Sequence, residues 1–492
     1  PGRLLDESQA VNRRSAQKPR AARQTLVKEN AMSTLEVVNP FDQKPIGIVD
    51  LVPWNSIDGW LADAHQLSRD RSQWLPVHQR IAILKNCAKL MSERAAELAH
   101  QIADEGGKPL IDARVEVARA IDGVELCIKE LGHLVGSEVP MGLTPAAAGR
   151  LAFTTREPIG VVVAVSAFNH PLNLIVHQVA PAVAVGCPVL VKPADDTPLS
   201  CKTFVDLLIQ AGLPAAWCRF APCDLASAER MVTDQRVAFF SFIGSAKVGW
   251  MLRAKLAPGT RCALEHGGAA PVIVDSGVDS AMMIPKLVKG GFYHSGQVCV
   301  SVQRVFAPKA QAAALAEAIA AHASRLVVGN AIEETTECGP LIRPREVTRV
   351  AEWVDEAIGM GAYKLCGGQR LSDTTYAPTV LLDPPQNCRV SNSEIFGPVV
   401  CVYSYDEPAQ AISLANSLPY AFQASVFSNR LDFAMQAFRG LDASAVMMND
   451  HTAFRVDWMP FAGRRHSGYG IGGIGHTMKD MTHEKMMVLP IT

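Results

Sequence analysis

A chain of 492 residues with 47 Lys and Arg against 48 Asp and Glu, a formal net charge of -1 and 48% apolar residues is too long for one simple core and is expected to fold as two or three domains. The even charge balance gives no electrostatic case for nucleic acid or a membrane surface, and no apolar stretch is long and charge-free enough to span a bilayer. The 12 cysteines are scattered without a C-x-x-C pair, which reads as reduced thiols in a cytoplasmic-type compartment, with no disulfide framework and no metal site.

Residues 1–31 gather Arg3, Arg13, Arg14, Lys18, Arg20, Arg23 and Lys28 with almost no aromatic content. They are expected to be a basic disordered extension, a transit peptide being the other reading, with Met32 opening the folded part. Pro40-Phe41-Asp42 reads as a turn. Apolar residues recur at helical spacing from Gln79 to Ala103, which predicts one long amphipathic helix stopped at Gly106-Gly107-Lys108-Pro109. A second helix is expected over Ala113 to Leu131. Val161-Val162-Val163-Ala164-Val165-Ser166 is a continuous β-branched run, the pattern of a strand buried on both faces of a parallel sheet. Helix 171–185, strand 188–192, helix 198–211, strand 237–242 and helix 245–256 follow in alternation, as in a doubly wound α/β domain. The alternation resumes after 270, with strands near 271–274, 303–307 and 399–403. Two such domains in series put a site in the cleft between them.

Chemistry concentrates in a few segments. Cys299, in Gly296-Gln297-Val298-Cys299, follows Glu265-His266-Gly267-Gly268. A thiol beside a glycine turn and a carboxylate from an earlier segment suit two-step acyl chemistry, in which the sulfur adds to a carbonyl and the carboxylate activates water. Taken alone, such a cysteine is more often an inert buried thiol. Gly244 and Ser245 open a helix after a strand, where backbone N–H groups could bind a pyrophosphate, although the spacing to Gly249 is neither a dinucleotide fingerprint nor a P-loop. Lys192 and Asp195 end another parallel strand. Asn169 precedes a helix, as an oxyanion donor or a simple cap.

With these segments in order, the chain resembles the NAD(P)-dependent aldehyde dehydrogenase superfamily from about Asn39-Pro40 to its C-terminus. The blocks that carry the resemblance include Pro158-Ile159-Gly160-Val161, Phe168-Asn169-His170-Pro171, Lys192-Pro193-Ala194, Phe242-Ile243-Gly244-Ser245, Glu394-Ile395-Phe396-Gly397-Pro398 and Pro460-Phe461-Ala462-Gly463. The resemblance implies an α/β fold with a Rossmann-type cofactor domain (32–137 and 156–264), an α/β catalytic domain (265–469) and a small β oligomerisation element (138–155 and 470–492) that makes a homodimer or homotetramer. It implies Cys299 as nucleophile, Asn169 with the Cys299 N–H as oxyanion hole, and Glu265 as the base that hydrolyses a thioester. Lys192 and Asp195 would hold the adenosine ribose, Ser166, Phe168, Gly244, Ser245 and Gly249 would line the dinucleotide, and Glu394 with Phe396 would hold the nicotinamide ribose. The thiol is expected to be largely thiolate, favoured by helix N-termini and a cationic cofactor.

Departures from the family pattern matter. His266 replaces a leucine and either tunes Glu265 or simply packs. Asp195 is shorter than the usual glutamate, yet a retained carboxylate should repel a 2′-phosphate, so NAD is expected, with NADP the alternative. By motif spacing, His170, Asn173, His177, Arg455, Arg119 and Phe461 border the substrate, with Trp458 nearby. This set is polar and partly cationic, so a small polar aldehyde carrying an acidic group is expected; the other reading is that both arginines make structural ion pairs. Val298, Val300 and Gln303 around the cysteine argue against the most highly charged substrates. The rival functions are a CoA-acylating dehydrogenase, which typically lacks a base at the Glu265 position, and a structural protein of the same fold without chemistry.

Overall fold

A computed structural model describes residues 33–491; the basic extension expected over 1–31 lies outside them. The buried run Val161–Val165 is a central strand of a six-stranded sheet, in the order Gly468–Tyr469, Arg261–Glu265, Val237–Ile243, Val161–Val165, Val189–Lys192, Cys218–Phe220. All its pairs are parallel except the antiparallel Gly468–Tyr469 edge. Side chains alternate between faces along a strand, and here Val162 and Ala164 enter one core while Val161 and Val163 enter another. Helices Val77–Glu93, Leu110–Glu130, Asn173–Val185 and Pro198–Gln210 cover the first face, and Trp54–Arg69 and Leu225–Thr233 cover the second. Because later strands lie on both sides of Val161–Val165, the chain reverses direction there. The crevice at the carboxyl ends of these strands is where open α/β sheets take ligands. Ser166, Phe168 and Asn169 follow one of those ends, Lys192 closes a second, Gly244 follows a third and Glu265 closes a fourth.

Past Glu265 the chain crosses into a seven-stranded sheet ordered Tyr363–Cys366, Thr379–Leu382, Val399–Tyr405, Val302–Pro308, Ala270–Val274, Gln423–Phe427, Ala445–Met448, parallel but for its first edge. A separate antiparallel sheet pairs Thr482–Pro490 with Arg150–Pro158 and Glu138–Val139. Among the described residues no helix is long and apolar enough to cross a membrane.

Three expectations need adjusting. The helix predicted over 79–103 is two helices, Val77–Glu93 and Ala95–Gly106, broken at Arg94, whose φ of -110° and ψ of 18° leave the helical region. Strand Arg150–Pro158 runs three residues past the 155 boundary expected for the oligomerisation element. The segment from 470 onward is not all extended: helix Ile474–Asp480 inserts Ile474 and Met478 into the core of the six-stranded sheet, and only Thr482–Pro490 joins the small sheet.

Candidate active site

Helix Ser280–Phe292 ends in a tight loop where His294, Ser295 and Gly296 all have positive φ (49°, 55° and 69°). Two non-glycine residues held left-handed are strained, so the surroundings must over-determine the loop. They do. Ser295 donates to the Gly339 carbonyl, Gln297 Oε1 accepts from Ile342 N at 2.9 Å, and Gln297 Nε2 donates to Pro340 O at 3.2 Å. A Cβ on Gly296 would lie 2.2 Å from the Gly397 carbonyl, so glycine is required where the two loops touch. Cys299 follows at the end of this clamp, half-buried. Asn169 does not cap the next helix, which begins at Asn173 after an N-cap Leu172 without a side-chain bond. Its Nδ2 instead donates to Gln297 O at 3.0 Å, beside the cysteine loop, which leaves its second N–H free.

Two carboxyls flank the sulfur's surroundings, each seated on glycine. A Cβ on Gly472 would come within 2.1 Å of Glu265 Oε1, and one on Gly267 within 1.7 Å of Glu394 Oε1. Glu394 accepts from Gly268 N at 3.2 Å. Burial raises the Glu265 pKa, with Arg455 pulling it back, and pushes Glu394 up to about 8. Burial likewise pushes the Cys299 thiol up to about 12, opposed by Arg455 and reinforced by Glu265 and Glu394. The expected thiolate is therefore not a property of the protein alone: two nearby carboxyls and a dry pocket outweigh one guanidinium.

Cys299 opens into a cavity of about 620 Å³ that Ser166, Phe168, Gly244, Ser245, Glu394 and Phe396 also line. Three features of this wall fit a pyridine dinucleotide. The Ser166 hydroxyl is buried without a partner, helix Ala246–Arg253 starts at the cavity with no side-chain cap on its free amides, and the Glu394 carboxyl stands at the inner end. Lys192 and Asp195 sit just outside the lining. They pair with each other at 2.7 Å, while the next residue, Asp196, lines the cavity and takes a bidentate contact from Arg343 (2.5 Å to each oxygen). Gly249 does not line the cavity either. It is glycine because the His266 ring lies against it: a Cβ would fall 2.1 Å from His266 Cε1. His266 points away from Glu265, with Nδ1 2.9 Å from the Gly244 carbonyl and its ring against Phe242 and Trp250. It packs the turn at the cofactor wall and does not tune the base.

At the inner end Arg119, His170, Asn173, Arg455 and Phe461 line the cavity, whereas Trp458 is 65% exposed. His177, expected at the substrate, lies buried behind them and hydrogen-bonds Asp457 Oδ1 at 2.7 Å. Asp457 also takes Arg119 through Nε (3.1 Å) and Nη2 (2.7 Å) and Asn173 Nδ2 at 3.3 Å. Arg119 is thus a structural ion pair. Arg455 is not: its guanidinium stacks 3.6 Å above the Phe461 ring centroid, and its Nη2 is 3.4 Å from His177 Nδ1. Asp457, Asp196 and Gly472 shape the site without any local signal that sets them apart in sequence, whereas Gln297 and Gly267 lie in the blocks around Cys299 and Glu265.

The pattern of the aldehyde dehydrogenase family matches residues 26–487. The 3-sulfolactaldehyde dehydrogenase of Priestia aryabhattai is 34% identical over 462 residues, covering 94% of this chain and 96% of that protein. Among solved structures, aldehyde dehydrogenase 21 of Physcomitrella patens, in complex with its reaction product succinate, superposes with a TM-score of 0.90 at 32% identity, covering 94% of this chain and 96% of that one. The glyceraldehyde-3-phosphate dehydrogenase of Methanocaldococcus jannaschii, complexed with NADP, does so with a TM-score of 0.87 at 30% identity, covering 94% and 100%. Cys299, Glu265 and Asn169 meet at a cavity between two largely parallel sheets, the arrangement expected of an aldehyde-oxidising enzyme. The chain belongs to the aldehyde dehydrogenase family, NAD(P)-dependent oxidoreductases that act on aldehydes.

Proposed function

We propose that this enzyme oxidises a short aldehyde bearing an acidic group to the corresponding carboxylic acid. The observation that carries the reading is Arg455. Of the five arginines lining the cavity, Arg119, Arg343, Arg345 and Arg349 each have a carboxylate partner, and Arg455 has none within 4.0 Å among the described residues. Arg455 is half-buried at the cavity wall; a partly desolvated guanidinium without a carboxylate partner gains from a ligand that answers it, and its planar fork suits an oxyacid. The sulfonated aldehyde in the name of the Priestia relative and the succinate in the Physcomitrella complex support the same class.

In this reading Cys299 Sγ adds to the aldehyde carbon as its proton passes to solvent through Glu265 or water. The resulting alkoxide of the thiohemiacetal is met by the free Asn169 N–H and the Cys299 backbone N–H. Ser166, Gly244, Ser245, Glu394 and Phe396 would hold a nicotinamide dinucleotide along the cavity wall, and when bound it would supply the hydride acceptor needed to reach the thioester. Glu265 then takes a proton from the water that attacks the thioester carbonyl, releasing the acid and restoring the thiol. Burial raises its pKa against the pull of Arg455, which strengthens it as a proton acceptor. We read NAD as the preferred dinucleotide because the Asp195 and Asp196 carboxylates at the outer rim disfavour a 2′-phosphate, and Lys192 is already answered by Asp195. The exposed apolar residues Met486, Met487, Val488 and Leu489 on Thr482–Pro490 support a homodimer or homotetramer built on the small sheet, and twelve free cysteines support a reducing cytoplasm.

The test is NAD(P)H production with each dinucleotide over short aldehydes matched in length. Carboxylated or sulfonated aldehydes are expected to exceed neutral ones in kcat/KM; equal values would refute the anionic class.

A further inference from the structure

We propose that Asp457 is a specificity-determining residue that limits the inner cavity to a single negative charge, so that the enzyme accepts carboxylate or sulfonate monoanions and rejects phosphate dianions. The inference rests on Arg455 being the anion anchor and goes one step further, to the charge that anchor can hold.

Asp457 is 4% exposed and takes hydrogen bonds from three neighbours, two of them from Arg119. Arg119 cannot swing toward a substrate without stranding a buried carboxylate, which costs more than a surface contact returns. His177 donates to Asp457 through Nε2, so its Nδ1 is left as an acceptor facing Arg455 Nη2 at 3.4 Å. That contact steers the guanidinium without spending its charge. The groups that act on Arg455 are Arg119 and Asp457, which cancel, the neutral His177 and Cys299, and Glu265. Among the described residues no second free cation lines this end. A monoanion therefore finds one matched charge. A dianion would bring a second charge for which the lining offers only Glu265, a carboxyl, and Arg119, whose charge is already answered by Asp457 behind it. The apolar Val298 and Val300 beside Cys299 add none.

The experiment compares kcat/KM for 2-oxoethanesulfonate, succinic semialdehyde, glyceraldehyde 3-phosphate and butanal from pH 5.5 to 8. A sulfonate does not titrate in this range, whereas a phosphate monoester gains its second charge near pH ~6. The sulfonate-to-phosphate ratio in the unaltered enzyme is expected to rise about tenfold per pH unit above that point. Asp457→Asn, which frees Arg119, should lower the ratio at pH 8 by roughly tenfold, one charge-assisted contact's worth. A ratio that stays flat with pH, or a folded Asp457→Asn enzyme with the ratio unchanged, would overturn the single-charge assignment while leaving Arg455 as anchor. If butanal instead matched the sulfonate, the anchor itself would be lost. Should Asp457→Asn fail to fold, the pH series on the unaltered enzyme decides alone.

Discussion

The side-chain amide of Asn169 reaches across the cleft to the main-chain carbonyl of Gln297 at 3.0 Å. One bond thereby ties the turn after strand Val161–Val165 to the loop that carries Cys299, and it fixes Asn169 and Cys299, the proposed oxyanion donor and nucleophile, relative to each other before any substrate arrives. Preorganisation of this kind is what lets a donor act on the transition state without reorganising.

Asn169→Ala should lower kcat by roughly 10²–10³-fold, the loss seen when one oxyanion donor is removed. Dinucleotide affinity, measured by fluorescence quenching, should stay within about twofold, because the donor faces the reacting carbon and not the Ser245 wall. A weakened affinity with kcat unchanged would mean that Asn169 only braces the loop.

Arg455→Ala should raise KM for a carboxylated aldehyde by about 10- to 100-fold, the value of ~1.5–3 kcal/mol for a charged hydrogen bond. A neutral aldehyde of equal length should change far less. Steady-state kinetics on the pair checks this, and equal effects would return Arg455 to a structural role.

The cofactor-free thiol should behave as a neutral group at physiological pH. Because burial and two carboxyls hold Cys299 up to about 12, its alkylation by iodoacetamide, measured against Cys299→Ala to subtract other thiols, should climb through pH 9 without levelling. A plateau below pH 8 would show a thiolate already formed.

Gly249→Ala should destabilise the fold by about 1–3 kcal/mol through overpacking against the His266 ring, read from the denaturant midpoint. Adding His266→Ala should restore most of that loss, since the two side chains would no longer compete for one space.

Most of the frame is legible in the sequence because it rests on local periodicity. The β-branched run at 161–165 could only be a doubly buried strand, and the alternation after it dictates the crevice where Asn169, Gly244 and Glu265 end up. The break at Arg94 was not legible: the apolar pattern runs through it unbroken, and the kink answers to packing on neighbouring helices. At the site, Cys299 and Glu265 stand out in sequence by their glycine companions. Asp457 and Asp196 do not, since their parts are set by partners 338 and 147 residues away in the chain, and His177, expected at the substrate, serves Asp457 from 280 residues away. His266 shows the same limit from the other side. Its place beside Glu265 in sequence left tuning and packing both open, and only its contacts with the Gly244 carbonyl, Phe242 and Trp250 select packing.

The central claim is a covalent ester on one sulfur, and it is tested most directly by mass spectrometry of an acid-quenched mixture of Glu265→Gln enzyme, dinucleotide and a short sulfonated aldehyde. Slowing hydrolysis by roughly 10²–10⁴-fold, as loss of a general base does, should let the acyl adduct accumulate, with one equivalent of reduced dinucleotide released in a burst. The expected result is a single acyl mass on the peptide bearing Cys299. An adduct on another residue, or steady turnover with no adduct at all, would contradict it.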